Sequence, residues 1–147
     1  MIRRTKIIAW DVYGTMIAAE DPDNELPPRK GLIEVLERTK GEGIISCTCS
    51  DGNTVVVRCD LESSRVNPEY FDHFFEMEKG IPKNLGVIWA HYKQRIPDLE
   101  GDQILVIGDR LDRDIYPAQS LGFRAIHFQE YFGSNDNNID ISKMEIP

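Results

Sequence analysis

Three polar residues of this chain stand at the ends of short apolar runs. Asp11 closes residues 6–11 (KIIAWD), Ser50 follows 44–49, and Asp109 comes two positions after 103–107 (QILVI). Carboxylates placed this way offer oxygen ligands to a hard divalent cation, and a serine hydroxyl offers a donor to an anion. Each also has an ordinary use. Asp11 can cap the turn after a strand, and Ser50 or Asp51 can N-cap a following helix. Asp112 and Asp114 fall where acids favour a helix dipole in any case. Lys83 sits near a helix start, where its charge opposes the dipole, and that awkward placement favours a chemical role. Lys79 is the fallback.

The elements that must position these residues follow from hydrophobic patterning. Residues 6–11, 44–49, 71–77, 103–107 and 123–128 are short apolar runs and predict five strands. Residues 30–40 carry Leu32, Ile33, Val35 and Leu36 at helical spacing, and Gly41 and Gly43 stop that helix. Residues 82–96 form the clearest helix, with Leu85, Ile88, Trp89, Tyr92 and Ile96 on one stripe. A further helix is predicted over 111–121, ended by Gly122. Residues 52–63 are ambiguous: Val55, Val56 and Val57 favour a strand, while the position after a strand favours a crossover helix. Residues 20–28, with four acids and three prolines, read as a loop, and 133–138 (GSNDNN) as a polar one. Trp10 and Trp89 are both expected in the core.

Alternating strands and helices imply right-handed βαβ units. The predicted fold is α/β, a three-layer α/β/α Rossmann-like arrangement around a parallel five-stranded sheet, with residues 1–147 as a single domain. Ligands of such sheets bind beyond the carboxyl ends of the strands, where Asp11, Ser50 and Asp109 converge.

Four segments carry a resemblance to a known family. Residues 11–15 (DVYGT) follow an apolar strand, Ser50-Asp51 ends a second, Pro82-Lys83 opens a helix, and 108–114 (GDRLDRD) follow another strand. In this order and context they resemble the four motifs of the haloacid-dehalogenase-like (HAD) hydrolases, and the resemblance spans residues 6–128. It implies a magnesium-dependent phosphatase. Asp11 would be nucleophile and metal ligand, joined by the Tyr13 backbone carbonyl, Asp109 and Asp114, with Asp112 a substitute for Asp114. Ser50 and Lys83 would bind the phosphoryl oxygens, with Asp51 and Gly14 beside them. Attack by Asp11 would give an aspartyl-phosphate that water then releases. His73, His91 and His127 receive no catalytic role.

The sequence departs from that pattern at Tyr13, where the family's phosphatases hold a second aspartate that serves as acid and base. A phenol with an ordinary pKa of about 10 is a poor base at neutral pH, so turnover is expected to be slow. D-x-Y-G-T also resembles the 2-haloacid dehalogenases of the same superfamily. Against that alternative stand GDRLDRD, which resembles the metal-binding phosphatase form, and the short spacing. Only 34 residues (16–49) separate the first two motifs, and a loop, a helix and a strand fill them. No cap domain fits. An uncapped site suits large phosphorylated substrates or closure by homo-oligomerisation. The other alternative is a catalytically silent member that binds a phosphorylated ligand or a protein.

Composition limits the partners. The formal net charge of -8 argues against a nucleic-acid or anionic-membrane binder. The basic spot at Arg3, Arg4 and Lys6 does not reverse this. No apolar stretch approaches the ~20 residues of a membrane span, and no signal-peptide pattern opens the chain, so a cytoplasmic location is expected. Cys47, Cys49 and Cys59 are odd in number and two lie in an apolar run. They read as small buried hydrophobes rather than disulfide or zinc partners.

Overall fold

Five parallel strands form one sheet in the order β3-β2-β1-β4-β5. They are β1 (Ile7–Trp10), β2 (Ile45–Thr48), β3 (Phe71–Phe74), β4 (Ile104–Gly108) and β5 (Arg124–His127). The computed structural model describes residues 3–17, 27–136 and 138–147, so most of the predicted 20–28 loop lies outside the described residues. In the central strand Ala9 sits opposite Cys47 on one side and Val106 on the other. A central parallel strand is covered on both faces, which is why β1 reads as an unbroken apolar run.

Alternation along β1 divides the core. Ile8 and Trp10 face α1 (Leu32–Gly41) and α2 (Thr54–Ser63), packing with Val35, Leu36, Val57 and Leu61. Ile7 and Ala9 face α3 (Gly86–Lys93) and α4 (Tyr116–Ser120), packing with Ile88, Tyr92 and Ala118. The result is a three-layer α/β/α sandwich. Among the described residues every element belongs to the sheet or to its covering layers. A short α5 (Phe128–Phe132) and the C-terminal segment complete the first face through buried Phe128, Ile141 and Met144. Arg38 secures that segment, donating to the carbonyls of Ser142 at 2.7 Å and Met144 at 2.5 Å. No helix among the described residues is long and apolar enough to cross a membrane.

One ambiguity is settled and two expectations about helices change in detail, besides Cys59, which is exposed rather than buried. The valine triplet is helical: Asn53 caps α2 by accepting from the Val55 N–H at 2.8 Å, Val57 is buried, and Val55 and Val56 face solvent. Tertiary context outweighs strand propensity here. Trp89 is not core but 38% exposed, because α3 buries the Ile88–Tyr92 stripe and starts only at Gly86. The helix expected over 111–121 opens instead with a π-helical turn, Leu111–Ile115, before α4. Pro117, with no N–H, cannot extend a regular ladder back to Arg113.

Candidate active site

The carboxyl edge of the sheet carries a cleft of about 160 Å³. Asp11 reaches it directly from β1, its N–H still in the sheet ladder with the Ile107 carbonyl at 2.9 Å. Ser50 and Asp109 arrive from β2 and β4, as the strand-end rule requires. Asp114 comes from the π-turn, which rotates its side chain inward to 1% exposure. The Arg110 N–H donates to its Oδ2 at 3.2 Å. The carboxylate lies so close to Gly108 that a Cβ there would stand 2.5 Å from its Cγ; glycine is required by this close approach. Asp112, two residues earlier, points to solvent and pairs with Arg110. Of the two acids, Asp114 is the one that faces the cleft.

Lys83 enters from the segment that precedes α3, on the same face of the sheet as the π-turn. Its Nζ stands 2.9 Å from Asp11 Oδ1 and 2.5 Å from Asp114 Oδ1, with the side chain almost fully buried. Lys79 is exposed and takes no place in the cleft lining. One feature of α4 helps to hold Lys83. The Arg113 carbonyl, which Pro117 cannot use, accepts the Lys83 N–H at 3.2 Å. The Arg113 side chain adds bonds to the Ile81 and Glu78 carbonyls at 3.0 and 2.9 Å. It also forms a two-pronged pair with the Asp51 carboxylate. Arg113 thus ties the segment that carries Lys83 to the loop that carries Ser50.

Asp11, Asp109 and Asp114 each bring a carboxylate oxygen within 4.8 Å of the others. Burial pushes Asp11 up to about 7; Lys83 opposes this and the Asp109 charge adds to it. Burial likewise raises Asp114 to about 6, with Asp11 reinforcing and Lys83 opposing. Burial disfavours the charged Lys83 ammonium, yet its net shift is upward. The adjacent Cys49 thiol is itself raised to about 12, chiefly by burial, and stays neutral, so the two carboxylates keep Lys83 charged. Three acids facing one ammonium leave a site short of positive charge. An all-oxygen donor set of this kind fits a hard divalent cation. The Ser50 hydroxyl is buried, lines the cleft and has no hydrogen-bond partner among the described residues. A buried polar atom without a partner is costly unless a ligand completes it.

Other expected site residues have different surroundings. The Tyr13 side chain lines the cleft, but its hydroxyl donates to Asp60 on α2. Burial and that carboxylate push the phenol upward. Gly14 makes the turn at φ +80°, and its N–H bonds the Ile17 carbonyl at 2.8 Å, so that donor is not directed at an anion. The Asp51 carboxylate is held by Arg113, which confines any contact with an anion to its main chain. Thr15 donates to Asp11 Oδ2 at 3.2 Å and fixes the carboxylate's plane.

Two positioning residues gave no clear signal in the sequence. Arg29 is buried beneath the turn after β1 and donates to the Gly14 and Thr15 carbonyls at 2.8 and 3.1 Å. It also binds Asn135 and the Asp136 carbonyl, and its guanidinium lies 4.2 Å from the Phe128 ring centroid. His127 Nε2 lies 3.1 Å from the Asp109 carbonyl oxygen. A Pro-Pro-Arg-Lys run before a helix looks like surface charge, and a lone histidine in a strand looks like packing.

No protein-family model and no curated protein matches the sequence. Solved structures do match. An uncharacterised protein from Listeria monocytogenes is 17% identical with a TM-score of 0.67, over 97% of this chain and 86% of that one. A haloacid dehalogenase-like family hydrolase from Streptococcus pneumoniae is 13% identical with a TM-score of 0.64, over 84% of each chain. A protein from Bacillus subtilis, named as a candidate HAD hydrolase and solved with magnesium, is 22% identical with a TM-score of 0.51, over 65% of this chain and 41% of that one. Further matches are named as candidate phosphatases. At these identities the likeness shows the fold: the chain has the Rossmann-like fold of the HAD hydrolases.

Proposed function

We propose that this chain is a magnesium-dependent phosphomonoester hydrolase working through an aspartyl-phosphate on Asp11. The observation that carries the reading is the cluster of buried Asp11 and Asp114 with half-buried Asp109, Lys83 lying between the first two, beside a Ser50 hydroxyl that has no hydrogen-bond partner among the described residues. Asp11, Asp109, Asp114 and the Tyr13 carbonyl would hold the metal. When bound, magnesium would draw charge from the phosphoryl oxygens and offset the excess of carboxylates.

Asp11 attacks phosphorus, a new Oδ–P bond forms, and the ester P–O bond breaks with its electron pair leaving on the alcohol oxygen. Ser50 donates to a phosphoryl oxygen, and Lys83 balances the charge that grows there. The leaving oxygen takes its proton from solvent, because the Tyr13 hydroxyl is engaged with Asp60. Water then adds to phosphorus as the Oδ–P bond breaks. Phosphate departs, the water's proton passes to solvent, and the Asp11 carboxylate is restored.

The test is phosphate release from an aryl phosphate, with and without magnesium, for the wild type and Asp11→Asn. Expected is magnesium-dependent turnover that falls by about 10³-fold or more in the variant. Equal release by the two proteins would defeat the proposal. Alkyl phosphates, whose leaving groups need a proton, should turn over far more slowly than aryl ones. Tyr13→Asp should narrow that gap by about 10²-fold, within the range of general acid–base help; a folded, magnesium-binding variant with no gain would refute the account of Tyr13. The short spacing of the motifs extends the proposal to an uncapped cleft and large phosphorylated substrates, phosphoproteins before nucleic acids because of the acidic charge.

The Tyr13–Asp60 bond also favours a second reading, a phospho-ligand-binding protein without turnover. Magnesium-dependent phosphate binding with no release from any ester would support it.

A further inference from the structure

Three cations line the cleft: Lys83, Arg113 and Arg110. Lys83 is held between Asp11 and Asp114. Arg113 is bound by both oxygens of Asp51 and two carbonyls. Neither can reach out to a second anion at the rim without abandoning those buried or multiple bonds. Arg110 differs. Its main chain is fixed beside the acid cluster: its N–H donates to Asp114, and its carbonyl accepts from the Asp114 and Ile115 N–H groups at 2.9 and 3.3 Å. Its side chain is 59% exposed, and its one polar partner among the described residues is Asp112, itself 67% exposed, at 3.3 Å. An exposed pair of this kind contributes little and is readily exchanged. A guanidinium is also the side chain best shaped to grip a carboxylate or phosphate through two parallel bonds.

Resting on the phosphomonoester reading, we propose that Arg110 is a specificity-determining residue, selecting substrates whose leaving group carries a second anionic group. With the phosphoryl group at Ser50 and Lys83, that second anion would lie toward the rim after β4. It would displace Asp112 from Arg110 and form a two-pronged ion pair.

The test is equilibrium binding in the presence of magnesium, which needs no turnover. Phenylphosphonate is compared with 4-carboxyphenylphosphonate by calorimetry for the wild type, Arg110→Gln and Arg110→Lys. The expected result is about tenfold tighter binding of the carboxylated ligand by the wild type, as for one charge-assisted contact. The ratio should fall to near one in Arg110→Gln and be partly kept in Arg110→Lys. Equal affinities in the wild type, or a preference that survives Arg110→Gln, would overturn the assignment of Arg110 while leaving the phosphoryl site intact. Failure of both phosphonates to bind would overturn it together with the phosphomonoester reading. Selective binding without ester hydrolysis would uphold Arg110 and count against turnover alone.

Discussion

Lys83 and Arg29 are both almost completely buried near the carboxyl edge of the sheet, at 5% and 3% exposure, yet their surroundings differ in kind. Lys83 lies between two carboxylates whose own protons are within reach of neutral pH. Arg29 meets main-chain carbonyls, the Asn135 side chain and an aromatic face. The ammonium is a point charge balancing other charges, so its value changes with every proton that enters or leaves the site. The guanidinium is a planar fork that satisfies acceptors of fixed polarity. A buried cation can therefore serve charge balance or shape, and its partners tell which.

Removing each cation should separate the two roles. Lys83→Met leaves Asp11 and Asp114 without their ammonium. In magnesium-free buffer at pH 7.5 the expected loss is about 3–5 kcal/mol, as for other broken buried pairs. That loss should shrink toward pH 5, where both acids take up protons. Urea titrations at the two pH values measure it, and a loss that stays constant would contradict the charge-balance role. Arg29→Met should cost about 2–3 kcal/mol through unsatisfied carbonyls, by nearly the same amount at pH 5 and pH 7.5. Equal pH slopes in the two variants would mean that the cations do the same work. The smallest effect is in the wild type itself. Asp11 and Asp114 have raised folded-state values, so the native state holds protons that the unfolded chain has already released. Their contribution makes metal-free stability fall as the pH rises from about 4 through 7. Magnesium should flatten that fall; a wild type whose stability rises across this window would show that the two acids are not strained by burial.

The same contrast explains what could be read from the sequence. β1, β2 and β4 are buried on both faces, so their apolar runs stand out without any fold in view. Asp11, Ser50 and Asp109 were legible as residues of the cleft because each follows the end of a strand, whereas Lys83 and Asp114 were picked out through the family resemblance, with Lys79 and Asp112 left as alternatives. Arg29 was not, since the loop that buries it is brought there by residues more than one hundred positions later. Arg113 was hidden for a similar reason: its partner Asp51 lies 62 residues away. Helix period alone placed Trp89 inside, although the stripe that α3 buries runs through Ile88 and Tyr92. The valine triplet stayed ambiguous because local propensity cannot register the cap that Asn53 supplies together with the sheet that α2 covers.

Pro117 does not line the cleft, but it leaves the Arg113 carbonyl for the N–H of Lys83. The two positions are thereby coupled through one carbonyl. An amide restored at 117 would compete for that carbonyl and loosen the backbone of the lysine, so a lineage that keeps the lysine in place has reason to keep the proline as well.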